Sequence, residues 1–275
     1  MINSLRIILY RCIFWTLNID NSRMFKLAAQ QAAKLNVRLV VDPSVETLQQ
    51  LLHWLRDEYE HVYSGFYTNW DIIQNRFENH QIVLLQVNGV AAGFVCWYGT
   101  NSVVFIDIVE VRPEMRRCGL GRFMVEECLH KLGEMGCVVV GLECPFIASL
   151  PFWRRLEFLP NIALVSCVNE RMYKVLSTSV AQSVIENPNG CMVELWDTSP
   201  EETGDREANW KWNIQFENNS NKLKNPIVFP SHPAWRIRVR TKETILADTE
   251  IRSFGMNQIY LDGFLIIERL DIEHI

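Results

Sequence analysis

Residues 108–129 read IVEVRPEMRRCGLGRFMVEECL. The stretch opens on an apolar run and closes on an amphipathic one, with Arg116, Arg117, Gly119, Gly121 and Arg122 between them. That pattern predicts a buried strand feeding a turn that opens a helix. The first N–H groups of a helix lack intrahelical partners and, with the helix dipole, favour an anion. Gly119 and Gly121 carry no Cβ, so the backbone can approach a phosphate closely. Arginine adds charge and can grip phosphate oxygens in pairs. Two stricter phosphate motifs fail on spacing. A dinucleotide fingerprint needs glycine where Met124 stands, and a P-loop needs Gly-Lys-Ser/Thr where Gly121-Arg122-Phe123 stands. What remains is R-x-x-G-x-G, Arg116 to Gly121, or a basic bend with no ligand.

The flanking sequence supplies an ordered set of elements. VRLVV (37–41) reads as a strand ended by Asp42-Pro43. Ser44 fits as an N-cap for a helix carrying Leu48, Leu51, Leu52 and Leu55 to about Tyr59. A second helix spans Trp70 to Glu78. QIVLLQV, Asn88-Gly89 and VAAGFVCWY form a predicted hairpin, since Asn-Gly is the favoured two-residue turn. SVVFIDIVEV (102–111) reads as a central strand, apolar on both faces. Val125, Cys128, Leu129 and Leu132 mark one face of the next helix, ended near Gly133 or Gly136. CVVVGLEC (137–144), a short helix near 150–156 and two strands near 161–168 and 171–176 complete a unit at residue 177.

The 275 residues carry a net charge of −5. Up to residue 177 there are 17 Lys+Arg and 17 Asp+Glu, leaving 10 and 15 for the remainder. Such a balance argues against a nucleic-acid binder. The eight cysteines have no C-x-x-C spacing and lie mostly in apolar runs, which suits a reduced, cytoplasmic protein using Cys as core filler. The six histidines form no metal signature, so no structural metal is expected. LRIILYRCIFWTL near the N-terminus is short and interrupted by Arg11. No cleavage site follows it, so neither a membrane span nor a secretory signal is expected. An N-terminal extension over 1–36 is expected, with the start at Met1 or at Met24.

The R-x-x-G-x-G turn, in this order of elements, resembles the acyl-CoA-binding segment of the GNAT N-acetyltransferase superfamily over about residues 37–177. The resemblance implies an α/β (α+β) domain with a GNAT-like mixed central sheet flanked by helices. It implies acetyl-CoA as co-substrate, with its pyrophosphate on Arg116, Arg117, Cys118, Gly119, Leu120, Gly121 and Arg122. Its pantetheine would run beside Val109 and Val111. The acyl thioester would lie between that strand and 137–144, open to a small-molecule or protein amine.

An alkyl amine, with a pKa near ~10.4, must shed a proton before it attacks. Asp107, Glu110 and Glu143 lie on the two strands beside the implied gap and are the candidate bases. Strict alternation points Asp107 and Glu110 to opposite faces, unless a bulge shifts the phase. Asp107 sits between apolar neighbours, where burial would raise its pKa. The family often supplies a Tyr acid, in a pattern like N-x-x-A-x-x-x-Y-x-x-x-G-F. Here FIASLPFWRRLEF (146–158) keeps only Phe158, with Phe146 for Asn, Ser149 for Ala, Trp153 for Tyr and Glu157 for Gly. Cys144, Ser149 and Tyr173 are nearby, but none is assigned as the acid.

Residues 178–275 read as a small, mostly β module. A hairpin is predicted across Pro188-Asn189-Gly190, and a polar loop over 197–207. Strand-like runs follow in NWKWNIQF, WRIRVR, ETILADTEI and QIYLDGFLIIERL. Arg236, Arg238 and Arg240 share one strand face and are expected to be balanced by the module's own acids. Trp196, Trp210, Trp212 and Trp235 are expected to be core or interface anchors. The module has three open roles: capping the acceptor site, forming a homodimer surface, or binding a separate ligand. Three functions therefore stand: an acyl-CoA-dependent N-acyltransferase, a degenerate GNAT domain that binds CoA or a partner without catalysis, or an interaction protein whose β module carries the function.

Overall fold

The computed structural model describes residues 36–63, 65–99, 102–145, 147–163, 169–183, 190–218, 220–254 and 260–270. The N-terminal run, Phe146, most of the strand expected at 161–168 and most of the hairpin turn expected at 188–190 lie outside the described residues. The chain divides into two compact units. The first holds the described residues up to Gly99 together with Phe105–Leu132, and the second holds those of 100–104 and from Gly133 on.

In the first unit, β1 (Val37–Val40) leads to α1 (Val45–Val62). The Ser44 side chain accepts the Thr47 N–H at 3.3 Å and so caps the helix. The helix runs past Tyr59 because nothing there breaks it, and stops where Tyr63 turns left-handed (φ 50°). α2 (Trp70–Glu78) has the expected bounds. β2 (Ile82–Val87) and β3 (Val90–Gly99) pair antiparallel. Asn88 and Gly89 join them with φ 54° and 80°, the left-handed pair a primed hairpin turn demands. β4 (Val103–Val111) then enters the glycine turn, and α3 (Leu120–Glu134) leaves it. α1 and α2 bury Leu48, Leu51, Trp54, Leu55 and Ile73 against Phe94 and Cys96 of β3. Each such side chain contributes roughly 1.5–3 kcal/mol on burial.

The opposite face of β3 meets α3. A Cβ on Gly93 would lie 2.8 Å from the Glu110 carbonyl and 3.1 Å from Met124 Sδ. Backbone cannot yield as a flexible side chain does. Gly93→Ala is therefore expected to cost about 1–3 kcal/mol and to lower the thermal midpoint by several degrees in scanning calorimetry. An unchanged midpoint would show that β3 and β4 have slack there.

Strands β1 to β4 are neighbours in sheet order. Within the first unit they run β1-β2-β3-β4. In the second unit β5 (Val139–Cys144), β7 (Glu170–Val175) and β6 (Leu159–Pro160) follow in that order, with α4 (Leu150–Arg155) between β5 and β6 in the chain.

The rest of the second unit is mostly β. One sheet has the order β12-β11-β8-β9: β8 is Cys191–Leu195, β9 Trp210–Ile214, β11 Arg236–Arg240 and β12 Ile245–Glu250. The other is β10-β14-β13, with β10 at Lys222–Pro230, β13 at Tyr260–Leu261 and β14 at Phe264–Arg269. Asp262 and Gly263 form the expected turn, with φ 48° and 90°. The sequence reading misses β10 because Pro226 interrupts it. The register shifts between Lys222 and Ile227, so the proline sits in an irregularity where no ladder N–H is needed. It also reads 197–207 as a loop, whereas α5 (Pro200–Thr203) forms there, its first turn capped by Ser199 and opened by Pro200. Trp212 packs edge-on against Phe229, and Trp210 stacks on Trp235.

Ile237 and Val239 point into this core while the arginines of β11 face outward. Asp248 accepts from Arg236 at 2.6 Å and from Arg238 at 2.7 Å, and Glu194 accepts from Arg240 at 3.1 Å. Burial works to raise the Asp248 carboxyl, but the two arginines outweigh it and hold it below the usual carboxylate range. Arg236 and Arg238 also lie over the Trp196 ring. The face is thus neutralised from within the unit.

Candidate functional site

β4 hands over to the turn at Arg112, whose N–H donates to the Ala92 carbonyl at 2.9 Å. Pro113–Met115 makes a single 3-10 turn. Arg116 is extended, Arg117 is left-handed (φ 65°) and Gly119 is left-handed (φ 87°). These reversals aim the chain into α3. The Phe123 N–H donates to the Gly119 carbonyl at 3.0 Å, so the N–H groups of Leu120 and Gly121 lie ahead of the first full helical bond. Cys118 Sγ donates to the Met115 carbonyl and pins the turn on itself.

Arg116 is the motif's first residue, and its side chain, 45% exposed, is held by groups of the same unit. Nε donates to the Val111 carbonyl at 2.7 Å; Nη2 donates to Glu110 Oε1 at 2.8 Å and to Glu58 Oε1 at 3.3 Å. The sequence reading offered this guanidinium to a phosphate, but here two carboxylates and a carbonyl hold it. Arg122 Nε donates to Glu126 Oε1 one helical turn on.

The three candidate bases sit in different surroundings. Asp107 is not buried as expected. It lies on the surface face of β4, while Ile106 and Ile108 take the buried one. Arg76 of α2 grips its Oδ2 through Nε at 3.0 Å and Nη2 at 2.9 Å. Glu110 has a side chain only 16% exposed. Burial raises its carboxyl above the usual range; Arg116 and the Val111 N–H oppose this, and the charge of Glu58 adds to it. Its two hydrogen bonds, from Arg116 and from the Val111 N–H at 2.9 Å, both fall on Oε1. Glu143, in the second unit, accepts from Asn169 at 2.6 Å, pairs with Arg171 and is 45% exposed.

The sequence between α1 and the end of α4 matches one family model. Residues 48–158 fit the model described as the acetyltransferase (GNAT) family. These residues form a GNAT-family domain. No curated protein matches the chain significantly. Similar solved structures include the PaiA N-acetyltransferase of Thermoplasma acidophilum in complex with coenzyme A. It has 16% identity over 50% of this chain and 98% of that one, with a TM-score of 0.41. The ribosomal-protein-S18-alanine N-acetyltransferase of Escherichia coli has 19% identity over 55% and 99%, with a TM-score of 0.41. The GNAT family N-acetyltransferase YhbS of Escherichia coli, in complex with CoA, has 16% identity over 51% and 82%, with a TM-score of 0.42.

Where GNAT relatives often place a tyrosine, Trp153 is 8% exposed and packs between Phe152 and Phe158, with ring centroids 5.0 and 5.2 Å away. It is a core residue. Glu157, at the position where the GNAT pattern has Gly, is left-handed (φ 64°). Ser149 Oγ lies 2.9 Å from Cys144 Sγ. Tyr173 pairs with Gly141 of β5, but its ring is buried against Phe264 at 5.6 Å, and burial pushes the phenol up. Trp153 and Tyr173 are thus both buried.

Burial pushes the Cys96 and Cys137 thiols up to about 12 and about 11, as expected of core filler. Among the described residues no His/Cys/Asp/Glu group is arranged to hold a metal, and no helix is long and apolar enough to cross a membrane.

Sequence reasoning misses Glu58 and Arg76, the partners that give Glu110 and Asp107 their different characters. They stand 58 residues from Arg116 and 31 from Asp107. No local pattern marks either one.

Proposed function

We propose that this domain binds an acyl-CoA, most simply acetyl-CoA, at the turn from Arg116 to Arg122 and transfers the acyl group directly to an amine. The observation that carries the reading is the backbone of the turn. Arg117 and Gly119 reverse the chain so that the opening N–H groups of α3 have no helical partner. Two phosphates would satisfy those groups and gain from the helix dipole. The side chains of Arg117 and Arg122 add charge at the same end, while Arg116 braces the turn from behind.

The chemistry is a nucleophilic displacement. The amine nitrogen, freed of one proton, attacks the thioester carbon; a C–N bond forms, the C–S bond breaks and the thiolate leaves, while the second proton that nitrogen loses as the amide forms passes through water to the thiolate. Glu110 takes the proton, directly or through water, at Oε2. Of the three carboxylates it is the least exposed, at 16% against 24% for Asp107 and 45% for Glu143, and its Oε2 carries no hydrogen bond among the described residues. The departing thiolate, with a pKa near ~8.5 by analogy with Cys, can leave before it is protonated. Positioning of the two reactants supplies much of the rate. The acceptor is a small-molecule or protein amine. The free state of the six described cysteines suits a reducing compartment such as the cytoplasm.

A second reading rests on Trp153: a GNAT domain that binds CoA without turning over. Titration calorimetry of the full chain with acetyl-CoA, followed by thiol release across an amine panel, separates the two. Binding with release is the expected result. Binding without release favours the second reading, and no heat at high micromolar acetyl-CoA removes both.

A further inference from the structure

Glu58 stands on the face of α1 turned toward the end of β4. Its side chain is 10% exposed. One oxygen accepts from Arg116 Nη2 at 3.3 Å; the other is buried without a hydrogen-bond partner among the described residues. Gly65 closes over it, since a Cβ there would lie 3.5 Å from Glu58 Cδ. A carboxylate half-starved of partners is a costly thing to bury, and a neutral side chain of the same length would fill this space at less electrostatic cost. Its presence calls for an electrostatic account.

That account lies in the sharing of Arg116. A single nitrogen, Nη2, serves both Glu58 and Glu110, while Nε is spent on the Val111 carbonyl. Two carboxylates thus divide one guanidinium. We propose that Glu58 is a positioning residue for Glu110: it anchors Arg116 on the far side and keeps that cation from fully neutralising the Glu110 carboxylate. This rests on Glu110 being the base of the proposed reaction.

The charged and hydrogen-bonding groups that act on the Glu110 carboxyl come from several elements. α1 brings Glu58, the glycine turn brings Arg116, β4 itself brings the Val111 N–H, and β3 brings Gly93, which has no side chain to add. Of these, Arg116 and the Val111 N–H favour the ionised form of Glu110, whereas burial and Glu58 oppose it. Removing the Glu58 charge hands Arg116 to Glu110 and so makes its proton easier to lose.

The test uses the full chain. Carbon-13 carboxyl NMR follows the titration of Glu110, assigned by the signal that vanishes in Glu110→Gln. In Glu58→Gln the Glu110 midpoint is expected to fall by about one pH unit. The acidic limb of log kcat/KM should fall with it. Glu58→Asp keeps the charge and should stay closer to the parent, and it serves as the informative variant if Glu58→Gln does not fold. A Glu110 midpoint that does not move in Glu58→Gln, or one that falls as far in Glu58→Asp, overturns the proposal, whatever happens to the thermal midpoint. A midpoint that falls while the activity limb stays still upholds the link between Glu58 and Glu110 and removes Glu110 as the base.

Discussion

Glu110→Gln lowers kcat with acetyl-CoA and an amine by about 10²- to 10⁴-fold, the range that a general base contributes, and leaves acetyl-CoA binding nearly unchanged. The amide keeps the shape and can still accept from Arg116, but it cannot take a proton. The direction with pH follows from the raised carboxyl. A base works when deprotonated, so under the proposed reaction the parent protein is expected to lose activity as pH falls through the Glu110 midpoint, and that acidic limb is expected to disappear in the variant. Burial is the largest influence on this carboxyl and Arg116 the chief opponent. Stability takes the opposite sign to activity. Folded Glu110 holds its proton more tightly than the unfolded chain does, near ~4.3. Its contribution to stability is therefore full below that value and is lost as pH rises through the folded midpoint. Steady-state kinetics from pH 5 to 9 and calorimetric binding check both halves. A variant with parental kcat at pH 7 would return the search for the base to Asp107 and Glu143.

Gly119→Val is expected to weaken acetyl-CoA binding at least 100-fold. Gly119 has φ 87°, a region that a β-branched residue avoids. The turn must unwind, at a cost of about 1–3 kcal/mol, and the N–H groups at the start of α3 then lose their common aim. Two charge-assisted hydrogen bonds lost at about 1.5–3 kcal/mol each account for the drop, since 1.4 kcal/mol is tenfold. Calorimetry with acetyl-CoA measures it, and the thermal midpoint checks that the fold survives. Unaltered affinity in a folded variant would show that the phosphates do not sit on this turn.

Both predictions draw on features that sequence reading and tertiary structure supply unequally. The glycine turn, the Asn88-Gly89 hairpin, the Ser44 cap and the bounds of α2 were legible because each depends on residues close in the chain. Left-handed backbone asks for Gly or Asn, a helix start asks for a hydroxyl, and a buried helix face repeats at its own period. β10 was not legible, because Pro226 argues locally against a strand and only the irregular register excuses it.

Local patterns in the chain carried the family of the domain, the order of most of its elements and the place of the glycine turn. The surroundings of each candidate carboxylate were decided by the tertiary structure. Asp107 and Glu110 stand three positions apart on one strand, and both looked eligible. Packing turned one outward to Arg76 and left the other half-buried beside Arg116 and Glu58. A side chain's charge state depends on neighbours and burial that fold together from distant parts of the chain, and no local spacing encodes them.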